Sequence, residues 1–487
     1  MLLPKQSLFT NYLFLLTCIL FLAAVLRFVN YDARFGLASD QARDALIIQE
    51  AVKEHTLPLI GAFSASGPFV FGPYFYWAFY IPVALFPHFV LTPWIFLTLL
   101  YIGIVGIMFS IGEKVYDRNF GLLLAFFTAI SPVELSLSSN LIYSALVGFF
   151  ATCTLYFFVS YIKAPSRRFL FFFALFLSLS VNTHFEAMPL LLMIPFVLYF
   201  GKRTLSHMSM LFLGLLLPLT PLIIFNFEYH FYELNNIIHF ILFHPQTTLV
   251  TKRWLTTLTS SWPTRWGDTI GGTKLIGGIE IILLLLVAGY SIYAKKIQKE
   301  IGIVMGVFIC MVVMLRYFNG IIFESFLAFI IPFILLLFAW ACYEIVKRNV
   351  YIGMFILFCI VCANTFVIYQ TITKASNPMR TTTIHWVNKL ATTKAKTFSV
   401  YQYKSQQSEQ ALSLSLYLNS EGKAAISGDK IALASFGAPI NEQVLFTGHD
   451  RSRMYTLQGV SDASLTKEGF SSISAKSVYN ATENWYK

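Results

Sequence analysis

The chain has 487 residues, 57% hydrophobic and 17% aromatic but only 12% charged, with a formal net charge of +11. That balance excludes an ordinary soluble globular protein and defines an integral membrane protein. The excess charge does not mark a nucleic-acid binder, because Lys and Arg collect in short clusters beside apolar runs, as orienting charges do in a bilayer.

The first run, "LFTNYLFLLTCILFLAAVLRFV", is too long for a signal-peptide core and lacks a small-residue cleavage site, so it reads as a retained transmembrane helix. Runs of span length place helices near 9–29, 88–112, 119–138, 141–162, 168–183, 185–201, 208–227, 272–295, 300–318, 321–346 and 350–372, about eleven in all. The stretch "FGPYFYWAFYIPVALFP" at 71–87 is barely long enough to cross and is bounded by prolines. Taken as an interfacial aromatic helix, it leaves Lys114/Arg118, Lys163/Arg167/Arg168, Lys202/Arg203, Lys295/Lys296/Lys299 and Lys347/Arg348 all on one side, as the positive-inside rule expects. Residues 30–87, the loop 228–271 and everything after 373 then lie on the non-cytoplasmic face. All six cysteines fall inside apolar runs, so no disulfide framework is expected, and Cys359 and Cys362 read as packing residues despite their CxxC spacing.

In the first loop, "SDQARDALIIQE" reads as a helix capped by Ser39, with Asp40, Arg43, Asp44 and Ile47 on one face. The helix dipole and Arg43 favour an ionised Asp40, a group able to accept a proton from a hydroxyl or to bind a divalent cation. The competing reading is a short helix showing its polar face to water. Beside it, "SGPFVFGPYFYW" turns at Gly67, Pro68, Gly72 and Pro73 and then sets Tyr74, Tyr76 and Trp77 at headgroup level.

An N-terminal span, "SDQARDA" opening an outer-loop helix, a "GPYFYW" interfacial helix and then many spans together resemble the GT-C integral-membrane glycosyltransferases. Within them the chain looks like the protein O-mannosyltransferases and aminoarabinose transferases, which take a sugar from a polyprenyl phosphate. Seven spans before a large outer loop match that family's catalytic module over roughly residues 1 to 270. The resemblance implies that Asp40 is a general base or metal contact. Gln41 stands where many relatives have glutamate, and Gly72 precedes Pro73 where relatives often have Lys or His, so the donor-phosphate contact falls to other residues. Glu134 and Asn140 lie near the position of a second acidic residue in some relatives, without a clean match.

Charged groups near the bilayer need a reason. "VNTHFEAMP" places Asn182, His184 and Glu186 at an outer turn, where relatives carry a basic residue, and His184 is a candidate phosphate contact; a plain polar turn is the alternative. "MLRYFNGIIFESF" brings Arg316 and Tyr317 to another outer turn, and a guanidinium matches phosphate geometry, although an arginine snorkelling to headgroups fits equally. The loop 228–271 carries His230, Glu233, His239, His244 and "RWLTTLTSSWPTRWGD", with no zinc spacing, and reads as a second interfacial lid.

No Walker loop, dinucleotide fingerprint or HExxH occurs, so no nucleotide cofactor is expected; a divalent cation stays open, since one carboxylate with phosphate oxygens suffices to hold one. The expected architecture is a mainly α-helical polytopic membrane protein: a transmembrane domain over 1–372 and a small extracytoplasmic α/β domain over 373–487. In the latter, "HWVNKLATT" and "SEQALSLSLYLNSEGK" read as helices and "FSVYQYK", "KIALAS" and "QVLFTG" as strands. The expected function is inverting sugar transfer at the outer face of the cell membrane from a polyprenyl-phosphate sugar to an acceptor glycan, lipid or protein. Asp40 is the catalytic residue, and Arg43, Asp44, Tyr74, Tyr76, His184, Glu186, Arg316 and Tyr317 are the substrate contacts. The alternatives are a transporter or lipid-linked-oligosaccharide flippase, or an O-antigen ligase or polymerase.

Overall fold

The computed structural model describes residues 5–64, 69–243, 257–315, 324–393, 395–403, 408–425, 429–434, 444–447, 453–456 and 470–476. Apolar runs become helices because hydrocarbon offers the backbone no other hydrogen-bond partner. Helix α1 (Lys5–Phe28) leads into the short α2 (Tyr31–Arg34) and into α3 (Ser39–Lys53). Helix α4 (Tyr74–Leu85) has 12 residues, too few for the roughly 20 that a crossing requires.

Then follow α5 (Thr92–Val115), α6 (Arg118–Ala129), α7 (Pro132–Leu137), α8 (Tyr143–Lys163) and α9 (Arg167–Thr183). A 3-10 turn over Phe185–Leu192 runs into α10 (Met193–Phe200), and another at Leu217–Leu219 joins α11 (Leu205–Leu216) to α12 (Thr220–Glu228). Beyond α13 (Tyr232–Phe243) and α14 (Trp262–Thr269) come α15 (Lys274–Tyr293), α16 (Lys299–Leu315), α17 (Ile331–Arg348) and α18 (Val350–Thr373). Six helices among the described residues are long and apolar enough to cross a membrane by themselves.

The run expected as one helix over 119–138 is two. Ser131 precedes Pro132, which disfavours helical backbone at the residue before it, and Ser131 is extended (φ −70°, ψ 123°). Helices α8 and α17 are buried on nearly every side and form the centre of the bundle, whereas α1, α15 and α18 expose Phe14, Phe21, Leu285, Leu286, Phe355 and Phe358. Such an apolar outer surface suits lipid rather than water. At one end of the bundle basic residues meet: Lys163 bonds the Lys114 carbonyl, and Lys347 lies 4.4 Å over the Tyr116 ring.

The C-terminal region contains α19 (Pro378–Ala391), α20 (Ser408–Ser420) and a five-stranded sheet ordered β3-β4-β2-β1-β5. Strands β1 (Phe398–Tyr403) and β2 (Asp429–Ala434) run parallel, with α20 in the crossover between them; β3 (Val444–Thr447), β4 (Arg453–Thr456) and β5 (Phe470–Ile473) pair antiparallel. Both expected helices and all three expected strands are present, and β4 and β5 are additions. This region seats on the first loop. Arg380 pairs with Asp32 at 3.0 Å, and Asn377 donates to the Phe35 carbonyl at 2.9 Å. Gln49 of α3 donates to Ser420 at 2.7 Å and accepts from Asn419 at 2.8 Å.

Candidate functional site

Helix α3 is fixed at its start by long-range contacts. Ser39 is its first residue, not its cap as the sequence suggested; Ala38 precedes it in extended conformation. Gln41 supplies what Ala38 lacks: its Oε1 accepts from the Ala38 N–H at 2.8 Å, while its Nε2 donates to Asn140 Oδ1 at 2.8 Å. Gly36 N–H bonds the Ser139 carbonyl at 2.9 Å, and a Cβ on Gly36 would lie 2.6 Å from Asn140 Oδ1, so a larger residue there would push the Asn140 amide from its place. Asn140 therefore anchors the first loop. Gln41→Ala is expected to cost about 1–2 kcal/mol by removing both bonds, as a lowered thermal midpoint in detergent.

On α3, the i, i+3, i+4 spacing brings Asp40, Arg43 and Asp44 together as expected. Arg43 forks between the two carboxylates: Nη1 lies 2.8 Å from Asp40 Oδ1, and Nε and Nη2 each lie 2.9 Å from Asp44 Oδ1. The two acids differ in environment. The Asp44 side chain is 2% exposed and that of Asp40 69%. Burial pushes the Asp44 carboxyl above its usual range, with Arg43 opposing; Asp44 in turn holds the Arg43 guanidinium more firmly protonated than usual. Asp40 keeps Oδ2 outside the ion pair and near solvent.

Asp44 also accepts from the Tyr76 hydroxyl at 3.2 Å, and the Tyr76 ring lies edge-on to that of Tyr143 at the start of α8, centroids 5.9 Å apart. Tyr143 had no signal in the sequence, since "NLIYSAL" reads as an apolar run. Its ring stacks on Phe75 at 4.2 Å and lies 5.7 Å from Phe71. Phe71 in turn stacks on His184 at 4.7 Å. The segment carrying Phe71 is a hairpin: Gly61 N–H bonds the Phe71 carbonyl, Phe71 N–H the Ala62 carbonyl, and Gly72 N–H the Asn182 carbonyl. Phe71 thus touches both His184 and Tyr143, and Tyr143 packs against Tyr76 of the acidic cluster.

His184 Nδ1 lies 3.9 Å from a Glu186 carboxylate oxygen, both side chains being 12% exposed. Burial lowers the His184 pKa to about 4, so near neutral pH its ring brings hydrogen-bonding capacity and no charge. Tyr74 points elsewhere, donating to the Pro218 carbonyl at 2.7 Å at the break between α11 and α12. Together with Trp77, Leu175, Leu179, Leu217 and Ile224, it lines an apolar cavity of about 380 Å³. Arg316, Tyr317, Gly67, Pro68, His244, Arg253 and Trp254 lie outside the described residues. In the loop expected over 228–271, Glu233 Oε1 accepts from the Val70 N–H at 3.0 Å, and Trp262 and Trp266 are buried against Phe308, core residues where the sequence suggested a surface lid. Glu134 is buried facing Arg27. No group of three His, Cys, Asp or Glu poised for a metal occurs among the described residues.

This helical bundle with its C-terminal mixed sheet has the fold of solved aminoarabinose transferase structures. The chain matches the apo structure of the aminoarabinose transferase ArnT from Cupriavidus metallidurans with a TM-score of 0.61 at 11% identity, covering 92% of this chain and 98% of that one. The same protein bound to undecaprenyl phosphate gives 0.58 over 92% and 99%. The apo oligosaccharyltransferase of Archaeoglobus fulgidus gives 0.50 at 11% identity, over 83% of this chain and 64% of that one. No protein-family model and no curated protein matches by sequence.

Proposed function

We propose that this protein is an inverting glycosyltransferase of about eleven spans that moves a sugar from a polyprenyl phosphate to an acceptor hydroxyl at the extracytoplasmic face. The observation that carries the reading is the Asp40–Arg43–Asp44 cluster on α3 of an ArnT-like fold, reached by Tyr76 of α4, the helix whose Tyr74 and Trp77 line an apolar cavity. Residues 1–372 form the transmembrane domain and 373–487 an outer α/β domain resting on α3. The gathering of Lys114, Lys163 and Lys347 at the far end supports this orientation by the positive-inside rule.

The apolar cavity between α4, α9 and the α11–α12 break receives the isoprenoid chain, in keeping with the undecaprenyl phosphate bound by ArnT. The lipid phosphate comes to rest near Arg43 and His184. The acceptor oxygen attacks the anomeric carbon as the carbon–phosphate-oxygen bond breaks; the polyprenyl phosphate leaves with the electron pair, and Asp40 Oδ2 takes the acceptor's proton. One displacement inverts the anomeric centre. Phosphate is a good leaving group, so positioning and charge compensation account for most of the acceleration. Asp40 with phosphate oxygens also forms a site for a divalent cation, which would offset the phosphate charge.

The test offers purified protein in proteoliposomes a panel of radiolabelled undecaprenyl-phosphate hexose, pentose and N-acetylhexosamine with membrane acceptor fractions. Label moving to an acceptor with release of undecaprenyl phosphate is the expected result. Label crossing the bilayer on an unchanged donor supports a transporter instead.

A further inference from the structure

We propose that the turns joining α5 to α6, α8 to α9 and α10 to α11 form a binding site for an anionic glycerophospholipid, with its headgroup on a patch of basic side chains and its acyl chains along the apolar flank beside them. This site is independent of sugar transfer. Direct contacts hold the patch together. Lys163 at the end of α8 bonds the Lys114 carbonyl at the end of α5, and Lys114 Nζ lies 5.6 Å from the centre of the Phe169 ring in the first turn of α9. From that same turn Arg167 donates to Ser206 Oγ at 3.0 Å, in the first turn of α11. The Lys202 N–H donates to the Tyr161 hydroxyl at 3.1 Å, which brings the α10–α11 turn against α8 two residues before Lys163. Arg168 and Arg203, next to Arg167 and Lys202, complete the set.

What singles out this patch is the lack of compensating charge. Glu113, Asp117 and Glu344 are engaged elsewhere: Glu113 with Arg118 at 2.9 Å, Asp117 with the Tyr343 hydroxyl at 2.7 Å and the Phe120 N–H at 2.9 Å, and Glu344 with Arg348 at 3.5 Å. Among the described residues, none of Lys114, Lys163, Arg167, Arg168, Lys202 and Arg203 has a carboxylate within pairing distance. All but Lys114 are exposed. Like charges so gathered repel one another, and a phosphate diester placed among them relieves that repulsion while accepting from ammonium and guanidinium donors. The neighbouring surface is apolar. Phe172 stands one turn beyond Arg168 on α9, Leu205 two residues beyond Arg203, and Phe212 two turns further along α11; all three are exposed, and α9 packs against α11. A free phosphate would use the cations alone, whereas a phospholipid uses both surfaces, and their continuity favours the lipid.

Full-length protein in detergent is titrated with phosphatidylglycerol, cardiolipin or phosphatidylcholine, with and without soluble glycerol 3-phosphate as competitor, and bound lipid is read by native mass spectrometry. Each basic side chain near an anionic headgroup contributes about fivefold, so the first anionic lipid is expected to bind about 10²-fold tighter than phosphatidylcholine. The triple variant Lys163→Gln, Arg167→Gln, Lys202→Gln is expected to lose nearly all of that preference. Lys374→Gln, Lys389→Gln and Lys396→Gln together remove the same charge from exposed positions in the C-terminal region and are expected to keep it within about twofold. Should the patch variant fail to accumulate, Arg167→Gln alone, with an expected loss of about fivefold, provides the reading. Equal binding of phosphatidylcholine, or equal losses in the two triple variants, would overturn the site. Displacement of the lipid by glycerol 3-phosphate at equal concentration would overturn it as a lipid site and leave one for soluble phosphate.

Discussion

Asp40→Asn is expected to lower sugar transfer by about 10²–10⁴-fold, the usual contribution of a general base, with the thermal midpoint in detergent nearly unchanged. The amide oxygen still accepts from Arg43, and the side chain is 69% exposed, so the substitution opens no cavity and buries nothing new. What it removes is the negative charge and basicity of Oδ2. The small stability loss comes from the first helical turn, where a carboxylate contributes about 0.3–1 kcal/mol against the dipole. Initial rates of undecaprenyl phosphate release, set beside melting curves, separate the two effects. Wild-type rates in the variant would remove Asp40 from the chemistry.

Arg43→Met is expected to destabilise the fold by about 3–5 kcal/mol at neutral pH, since it strands a buried carboxylate with Tyr76 as its remaining hydrogen-bond donor. The pH dependence has a definite sign. Burial already raises the folded-state pKa of Asp44, and Arg43 opposes that rise, so its loss moves the value further up. A carboxyl whose folded pKa exceeds its unfolded value near 3.9 favours the fold at acid pH, and that contribution is lost as pH rises through the folded value. The deficit against wild type should therefore be smallest near pH 4 and widen toward pH 8. Thermal midpoints of both proteins across that range check it; a deficit that is flat, or largest in acid, contradicts the assignment. Replacing Asp44 by Leu in the Arg43→Met background should recover much of the loss, since it removes the stranded charge.

Part of the membrane architecture was legible because hydrocarbon imposes length and apolarity on each crossing helix: among the described residues, six of the eleven expected spans are helices long and apolar enough to cross. The parity argument that kept 71–87 at the interface accords with a 12-residue α4. The acidic cluster was legible for a similar reason: residues three and four apart on a helix meet whatever surrounds them. Which of the two acids is buried was not legible, because that depends on Tyr76, 32 residues away, and on the Tyr143 ring packed behind it. The Gln41–Asn140 bond spans 99 residues and leaves no local trace. Gln41 itself was weighed only as a substitute for glutamate, yet its amide does two jobs at once, and a carboxylate has no donor to offer Asn140 Oδ1. Trp266 looked like a surface anchor beside Arg265 and Asp268, but a tryptophan flanked by polar residues on a short helix also buries one face, here against Phe308. Strands β4 and β5 were missed because four residues such as "RMYT" or "FSSI" carry too little alternation to register.

The most direct test is a cryo-EM structure with a non-hydrolysable undecaprenyl-phosphonate sugar and an acceptor mimic bound. The account predicts the phosphonate beside Arg43 and the isoprenoid in the cavity lined by Tyr74 and Leu179, with the acceptor hydroxyl roughly 3 Å from Asp40. A lipid head held elsewhere, with Asp40 still facing water, contradicts it.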